Sequence, residues 1–309
     1  MMLAGEYSVV TRGGACVSVG VGPGVDVSFE PDEGPFRLTS EAVGLENADP
    51  AAVPLIAHVL DALESPKGGL ITVVSRLGAG ETKPGLGASA AVTIAIVGAV
   101  YTSMGRALPT LREVTALHQL AQGGLGSGYD AATSLVGGVI VFSNSASGPE
   151  AQQLSWPEGL FARAISTGIG SSSRILLKKK MNWARNQPRL NDRHEARMMS
   201  STNLLIDAWR TGHAGAVLTG LADCQESLAA MEKDAGLGLF DNRLGELLSC
   251  VDETGAIGRV SGAGGGDSAW VCSDDFDRLE RAVASAEKAG FKTLSLDFPA
   301  NGLELLVEG

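Results

Sequence analysis

Residues 83–103 read KPGLGASAAVTIAIVGAVYTS, and the order of chemistry in this stretch decides how the rest of the chain is read. Two glycines, Gly85 and Gly87, come first, then small side chains, then a long uncharged run of good helix formers. Small residues let backbone N–H groups approach an anion closely, and the N-terminus of the following helix adds a favourable dipole, so residues 85–91 form a candidate phosphate cradle. The stretch is not a G-x-x-x-x-G-K-[ST] loop. A tight strand-to-helix turn whose glycines serve packing alone explains the same letters. The uncharged run from Pro84 to Gly105 is long enough to span ~30 Å of hydrocarbon. Its proline and glycine opening fits better with the central helix of a large globular domain, which is apolar all round.

Upstream of this stretch, GACVSVGVG (14–22), GVDVSFEP (24–31) and LITVVSRL (70–77) are short β-branched runs bounded by Gly or Pro, the signature of a β-rich sheet. Between them Val53, Ile56, Ala57, Leu60 and Leu63 keep helical spacing. Downstream, LPTLREVTALHQLAQGG predicts a helix capped by Thr110 and ending at Gly123. A glycine turn and a strand, VIVF (139–142), follow. The Ser, Gly, Pro and Gln content of 143–157 reads as a loop joining two domains, 1–157 and 158–309. Beyond it the pattern predicts a strand in LFARAISTG and helices near 172–184, 193–211, 214–235 and 241–254. Two strands around a glycine loop (257–273), a helix over 275–289, and closing strands in KTLSLDF and GLELLVE complete the chain. Helices over an antiparallel sheet make the fold class α+β.

Composition narrows the function. The 309 residues hold 41 glycines, close to twice the usual ~7% share, with no collagen-like period. The formal charge is −11 and no basic stripe runs along the chain, which argues against nucleic acid and against an anionic membrane as partners. Cys16, Cys224, Cys250 and Cys272 lie far apart, and the four histidines show no ligand spacing. Buried thiols in a reducing cytoplasm are the expectation, and the N-terminus has no secretory pattern.

Two further glycine motifs bear on chemistry. In GSGYD (126–130), Asp130 stands between flexible glycines and a small-residue helix, which places its carboxylate at a helix start; a simple capping role is the alternative. In VSGAGGGDSAW (260–270), four glycines separate two strand-like segments, which reads as a hairpin loop or as a place where something approaches the backbone.

Together, in this order, the three motifs resemble those of the small-molecule kinase family named for galactokinase, homoserine kinase, mevalonate kinase and phosphomevalonate kinase, the GHMP kinases. The family's ATP loop, P-x-x-x-G-L-G-S-S-A-A, resembles Gly85 to Ala91. Its N-terminal G-E-H or G-E-Y is matched by Gly5-Glu6-Tyr7, and its C-terminal G-x-G-G-G-D by Gly262 to Asp267. The phosphomevalonate branch is the most similar: K-T-G-L-G-S-S-A resembles Lys83 to Ala90, A-Q-G-x-x-G-S-G-F-D resembles Ala121 to Asp130, and T-G-S-P-A-S-T is echoed by Thr167 to Ser173.

The resemblance implies a two-lobed GHMP kinase fold. Its first lobe is similar to domain 2 of ribosomal protein S5 and its second is a ferredoxin-like α+β lobe. It implies ATP with its phosphates over Lys83, Gly85, Leu86, Gly87, Ala88, Ser89 and Ala90, and Mg²⁺ with Ser89 as its hydroxyl ligand. Ala88 stands where the family has a second serine. Gln119 stands where some members place a metal-binding glutamate, and it is not assigned to the metal. Asp130 is the implied catalytic carboxylate. The implied acceptor site takes in Glu6, Tyr7, Ser127, Gly128, Ser172, Ser173, Arg174, Lys178, Gly264 and Gly265, with 262–267 bracing the ATP loop. A solvated helix face is the other reading of Lys178-Lys179-Lys180. The family's N-terminal lysine, about six residues before Glu6, has no counterpart, since residues 1–66 contain no lysine. The expectation is a first strand ahead of residue 1; the alternatives are substitution by Lys83 or another base, or an impaired kinase. The implied reaction is ATP-dependent phosphorylation of 5-phosphomevalonate to 5-diphosphomevalonate in isoprenoid synthesis, in the cytoplasm, by a monomer or homodimer. Mevalonate kinase, an ATP-dependent decarboxylase of the same fold, and a non-catalytic nucleotide-binding homologue are the alternatives.

Overall fold

The structure, a computed structural model, describes residues 1–63, 67–76, 85–124, 126–240 and 243–306. In chain order the strands are β1 (Met2–Ala4), β2 (Ala15–Val19), β3 (Val25–Pro31), β4 (Phe36–Ser40), β5 (Leu45–Ala48), β6 (Gly69–Ser75), β7 (Val139–Ser145), β8 (Gly148–Leu154), β9 (Phe161–Ser166), β10 (Ile257–Val260), β11 (Ser268–Ser273) and β12 (Lys292–Leu294). The α-helices are α1 (Pro54–Asp61), α2 (Ala88–Ser103), α3 (Leu111–Ala121), α4 (Tyr129–Val136), α5 (Ser173–Asn186), α6 (Pro188–Thr211), α7 (Ala214–Ala235), α8 (Arg243–Asp252) and α9 (Phe276–Lys288).

Three four-stranded sheets result, with strand orders β1-β2-β7-β8, β3-β6-β4-β5 and β10-β11-β9-β12. The first two, with α1 to α4, form one lobe of an α+β molecule, and the third, with α5 to α9, forms the other. Alternation along β2 explains why the first sheet is buried on both faces. Cys16 points with Met2, Ile140 and Phe142 toward Ala132 of α4. Val17 and Val19 point the opposite way, with Leu3 and Val139, into a core shared with α6, α7 and the third sheet. The central helix α2 is buried on all sides, as its uniform apolar composition predicts, through Ile94, Ile96, Val97 and Val100. Thr110 caps α3 as expected, in a reciprocal box with Glu113. Among the described residues no helix is long and apolar enough to cross a membrane.

Three expectations are corrected. The segment read as a joining loop is largely a β-hairpin: β8 pairs with β7 from Gly148 to Leu154. It is an edge strand with an exposed side, so it carries Glu150, Gln152 and Gln153 rather than a β-branched alternation. Strands β4 and β5 went unread because they are short and half-exposed. GLELLVE is not a strand over its described residues. After Leu294 the chain crosses back to the first lobe, where Ala300 pairs with Gly20 and Gly138 and Leu303 donates to the Leu135 carbonyl at 3.1 Å. Glycine permits this return, because a Cβ on Gly137 would lie 2.0 Å from the Gly302 nitrogen.

The lobes are joined at β1. The Met2 carbonyl accepts from Trp270 Nε1 at 3.0 Å and from Ser261 Oγ at 3.0 Å, and the Leu3 carbonyl accepts from Arg259 Nε at 3.3 Å. The Arg259 guanidinium is fully buried, pairs with Glu6 and donates to Gln225 Oε1 at 2.8 Å. Removing one partner of such a pair strands the other charge, so Arg259→Met is expected to lower unfolding free energy by about 3–5 kcal/mol, read from urea titration. Adding Glu6→Gln should return part of that loss; a single-variant loss below about 1 kcal/mol would show that the joint does not depend on the pair.

Candidate active site

One cleft of about 610 Å³ opens between the lobes. Two helices aim their N-termini into it. Gly87 (φ +79°) precedes α2 and Gly128 (φ +85°) precedes α4, and neither glycine has a side chain to cap its helix. Among the described residues the first amides of α2 are left for something else to satisfy, while in α4 the Tyr129 amide donates to Ser127 Oγ at 3.4 Å and the Ala131 amide to Asp130 Oδ1 at 3.0 Å. Only glycine adopts such left-handed turns without cost, which is why both motifs place it there. Gly85 does a second job. It lies against Asp267 of the β10–β11 loop, and a Cβ on it would come within 2.7 Å of the Asp267 Cβ. The loop from the second lobe thus abuts the glycine loop of the first.

Of the expected nucleotide-loop residues, Gly85, Leu86, Gly87, Ala88 and Ser89 line the cleft, Ala90 is buried beneath them, and Lys83 lies outside the described residues. Glu6, Tyr7, Ser127, Gly128, Asp130, Ser173 and Arg174 also line it. Ser172, Lys178, Gly264 and Gly265 are not brought there. The Ser172 hydroxyl caps α5, accepting from the Ile175 amide. Lys178 is exposed farther along that helix. The Gly264 carbonyl accepts from Ser171 Oγ at 2.6 Å, and the Gly265 amide donates to the Leu239 carbonyl at 2.8 Å, so both hold the loop to its own lobe. The three consecutive lysines do not share one solvated face: Lys179 donates to the Leu237 carbonyl, and Lys180 is buried against Glu195. Gln119 lines the cleft and gives its amide to the Gly126 carbonyl.

Strain concentrates here. Of the non-glycine residues with left-handed backbone, Tyr7 (φ +60°) and Asp267 (φ +56°) both face the cleft. Tyr7 is held by its hydroxyl on the Ala263 carbonyl at 2.8 Å, and Asp267 by the Ser171 amide on Oδ1 at 2.9 Å. Burial raises the pKa of the Glu6 carboxyl, with Arg259 opposing, and its Oε1 has no hydrogen-bond partner among the described residues. Burial likewise pushes the Asp267 carboxyl up.

Sequence reading passed over His118. In the last turn of α3, its ring is buried, with Nε2 3.1 Å from Asp130 Oδ2 and Nδ1 3.4 Å from Thr93 Oγ1. Gln122 lies 2.8 Å from the same Nε2 and 3.4 Å from Ser89 Oγ, which ties the glycine loop to the aspartate. The only signal in the sequence was a histidine twelve residues before Asp130, and no spacing rule marks it. Burial alone would push the Asp130 carboxyl up; the His118 hydrogen bond and charge, with the Ala131 amide, outweigh it and hold it below the usual range.

The fold is that of the GHMP kinases. The chain matches no protein-family model. It is 28% identical to a phosphomevalonate kinase of Streptomyces sp. (strain CL190), over 86% of each chain. It is 26% identical to a mevalonate kinase of Thermococcus sibiricus, over 92% of this chain and 82% of the other. Among solved structures it superposes on Streptococcus pneumoniae phosphomevalonate kinase in complex with phosphomevalonate and AMPPNP, with a TM-score of 0.76 at 14% identity over 96% of both chains. The resemblance to the GHMP kinases read from the three motifs is therefore borne out in sequence and in fold, and the chain's relatives are kinases of the mevalonate pathway.

A carboxyl held below its unfolded-chain pKa of ~3.9 contributes stability that is present above that value and lost as pH falls through the folded one. Wild type should therefore exceed Asp130→Asn in unfolding free energy at pH 7, the gap narrowing as pH drops toward 3. A gap independent of pH in chemical denaturation would mean that the His118 contact does not hold the carboxylate.

Proposed function

We propose that the chain transfers the γ-phosphoryl group of ATP to the phosphate of 5-phosphomevalonate, forming 5-diphosphomevalonate, as a soluble cytoplasmic enzyme with domains 1–157 and 158–309. One observation carries this reading: the N-termini of α2 and α4 converge on a single cleft, one bearing Ser89 and the other Asp130. Two such termini suit two anionic groups, a nucleotide's phosphates and a phosphorylated acceptor. Arg174 and the hydroxyls of Ser173 and Ser261 line the same cleft and suit the acceptor's charge. Val43, Val53, Ile56 and Val73 give the cleft an apolar lining that suits a nucleotide base. The 28% identical phosphomevalonate kinase supports this acceptor, and the 26% identical mevalonate kinase keeps the unphosphorylated one as the second reading.

An oxygen of the acceptor phosphate attacks the γ-phosphorus, a new P–O bond forms, and the bond to the ADP oxygen breaks. The acceptor phosphate is already largely ionised near neutral pH, so Asp130 acts mainly by orienting the attacking oxygen and receiving any proton left on it. The α2 amides and Ser89 hold the triphosphate while Asp267 keeps Gly85 in register. Among the described residues no three His, Cys, Asp or Glu side chains form a metal cage, which suits Mg²⁺ held chiefly by phosphate oxygens and water. When bound, that ion offsets the phosphate charge, with the Ser89 hydroxyl as its side-chain ligand.

Incubation with Mg-ATP and, separately, 5-phosphomevalonate, mevalonate and 5-diphosphomevalonate, followed by ADP release and product mass, tests the reading. A gain of one phosphoryl group on phosphomevalonate alone is expected; turnover of mevalonate instead would establish the second reading. Asp130→Asn should lower kcat by about 100-fold or more while ATP affinity stays within a few fold. Gly85→Ala should weaken ATP binding at least tenfold, about 1.4 kcal/mol, in calorimetry, because its Cβ drives the glycine loop from Asp267.

A further inference from the structure

The hydrogen bonds around His118 determine where its protons lie. Thr93 Oγ1 spends its one proton on the Ser89 carbonyl at 2.9 Å, so toward the ring it can only accept. With the hydroxyl hydrogen so placed, Nδ1, 3.4 Å away, is assigned as the donor of that pair. On the other side Nε2 meets Asp130 Oδ2 at 3.1 Å, and an ionised carboxylate only accepts. A neutral ring with its proton on Nδ1 would set the Nε2 lone pair against the carboxylate. The clash is removed by one proton between Nε2 and Oδ2, and with Asp130 ionised that proton belongs to the ring. Gln122, whose amide oxygen and nitrogen are interchangeable in such an assignment, then presents its oxygen and accepts from both Nε2 and Ser89 Oγ.

We propose that His118 is a positioning residue of this reaction: as a buried imidazolium it fixes the Asp130 carboxylate at the floor of the cleft and supplies the positive charge beside it. This role rests on the phosphoryl-transfer reading above, and its charge assignment rests on geometry alone. The side chain of Asp130 is about 25% exposed, against 3% for His118, so of these two lining residues the aspartate is the more open to the cleft. His118 is one of the residues lining the cleft, and Gln122 connects its ring to Ser89. A single buried cation thereby supports the two groups that the reaction must hold in register.

Among the described residues Asp130 is the carboxylate hydrogen-bonded to the ring. Helix α3 packs against α1, α2, α4 and β8. The titratable groups these bring are His58 and Asp61 of α1, Tyr101 of α2, Tyr129 and Asp130 of α4 and Glu150 of β8, and of these only Asp130 is hydrogen-bonded to the ring. Within α3 itself, Glu113 is engaged at the opposite end by Thr110 and Tyr101. The His118 charge and the Asp130 charge thus answer one another.

Long-range ¹H–¹⁵N correlation spectra of the full chain at pH 7, with His118 assigned through His118→Gln, read the ring directly. Both ring nitrogens should resonate as protonated in wild type, and the ring should revert to a neutral pattern in Asp130→Asn. A neutral ring in wild type, or a pattern indifferent to Asp130→Asn, overturns the assignment whether or not the chain has the proposed activity. In the kinase assay His118→Gln should lower kcat by about 100-fold with the KM for ATP within threefold. His118→Gln with wild-type kcat and KM overturns the positioning role while leaving the reaction standing. A wild-type chain that turns over none of the three acceptors removes the reaction, and the positioning role with it, even if the spectra show an imidazolium. Thermal melting of His118→Gln separates a lost role from a lost fold, and the wild-type and Asp130→Asn spectra decide the assignment if that variant does not fold.

Discussion

The molecule is organised around a charge that has no access to water. Arg259 sits on β10 with its guanidinium fully buried, and every partner it has comes from outside its own sheet: the Leu3 carbonyl, the Glu6 carboxylate and Gln225 of α7. A buried cation without these would cost several kcal/mol, so the second lobe accepts the first only in the one orientation that satisfies Arg259. Trp270 and Ser261 add their hydrogen bonds to Met2, and Tyr7 reaches across to Ala263. The cleft is what this joint leaves open.

Within the cleft, glycine and helix ends do most of the electrostatic work. The described lining residues include just one arginine, Arg174, and its guanidinium donates to the Gln122 carbonyl at 2.5 Å, at the end of α3. Among the described residues the attraction for anions comes in good part from peptide dipoles, and the helix starts at Gly87 and Gly128 supply it. In a chain of net charge −11 the positive potential of the cleft is local and preorganised. The strained Tyr7 and Asp267 backbones, each fixed by a hydrogen bond, hold the walls that meet these helix starts.

Much of this was legible beforehand because it is local. Gly85, Gly87 and Gly128 announce turns that only glycine makes easily, Thr110 announces a helix start, and the uniform apolar content of 88–103 announces a helix buried all round. What failed to read did so for physical reasons. Strand β8 faces solvent on its outer side, so its letters look like a loop. The tail after Leu294 is held by backbone pairing to Gly20, Gly22 and Gly137, which no side-chain pattern encodes. Gly264 and Gly265 belong to the motif, but it is Gly262, Ala263 and Asp267 of that loop that face the cleft, since the direction of a glycine turn is set by what it packs against. His118 looked like any histidine on a helix face.

The sequence by itself determined the strands and helices that flank the three glycine motifs, the positions of those glycine loops and the likeness to a kinase family. These depend on residue-by-residue backbone preference and on periodicity, which act over a few neighbours. Only the tertiary structure decided which ends of which elements meet: that Asp267 braces Gly85, that Arg259 finds Glu6, and that His118 meets Asp130. Each of these pairs is brought together by burial of the apolar faces of separate elements, and a contact made that way leaves no trace in local spacing.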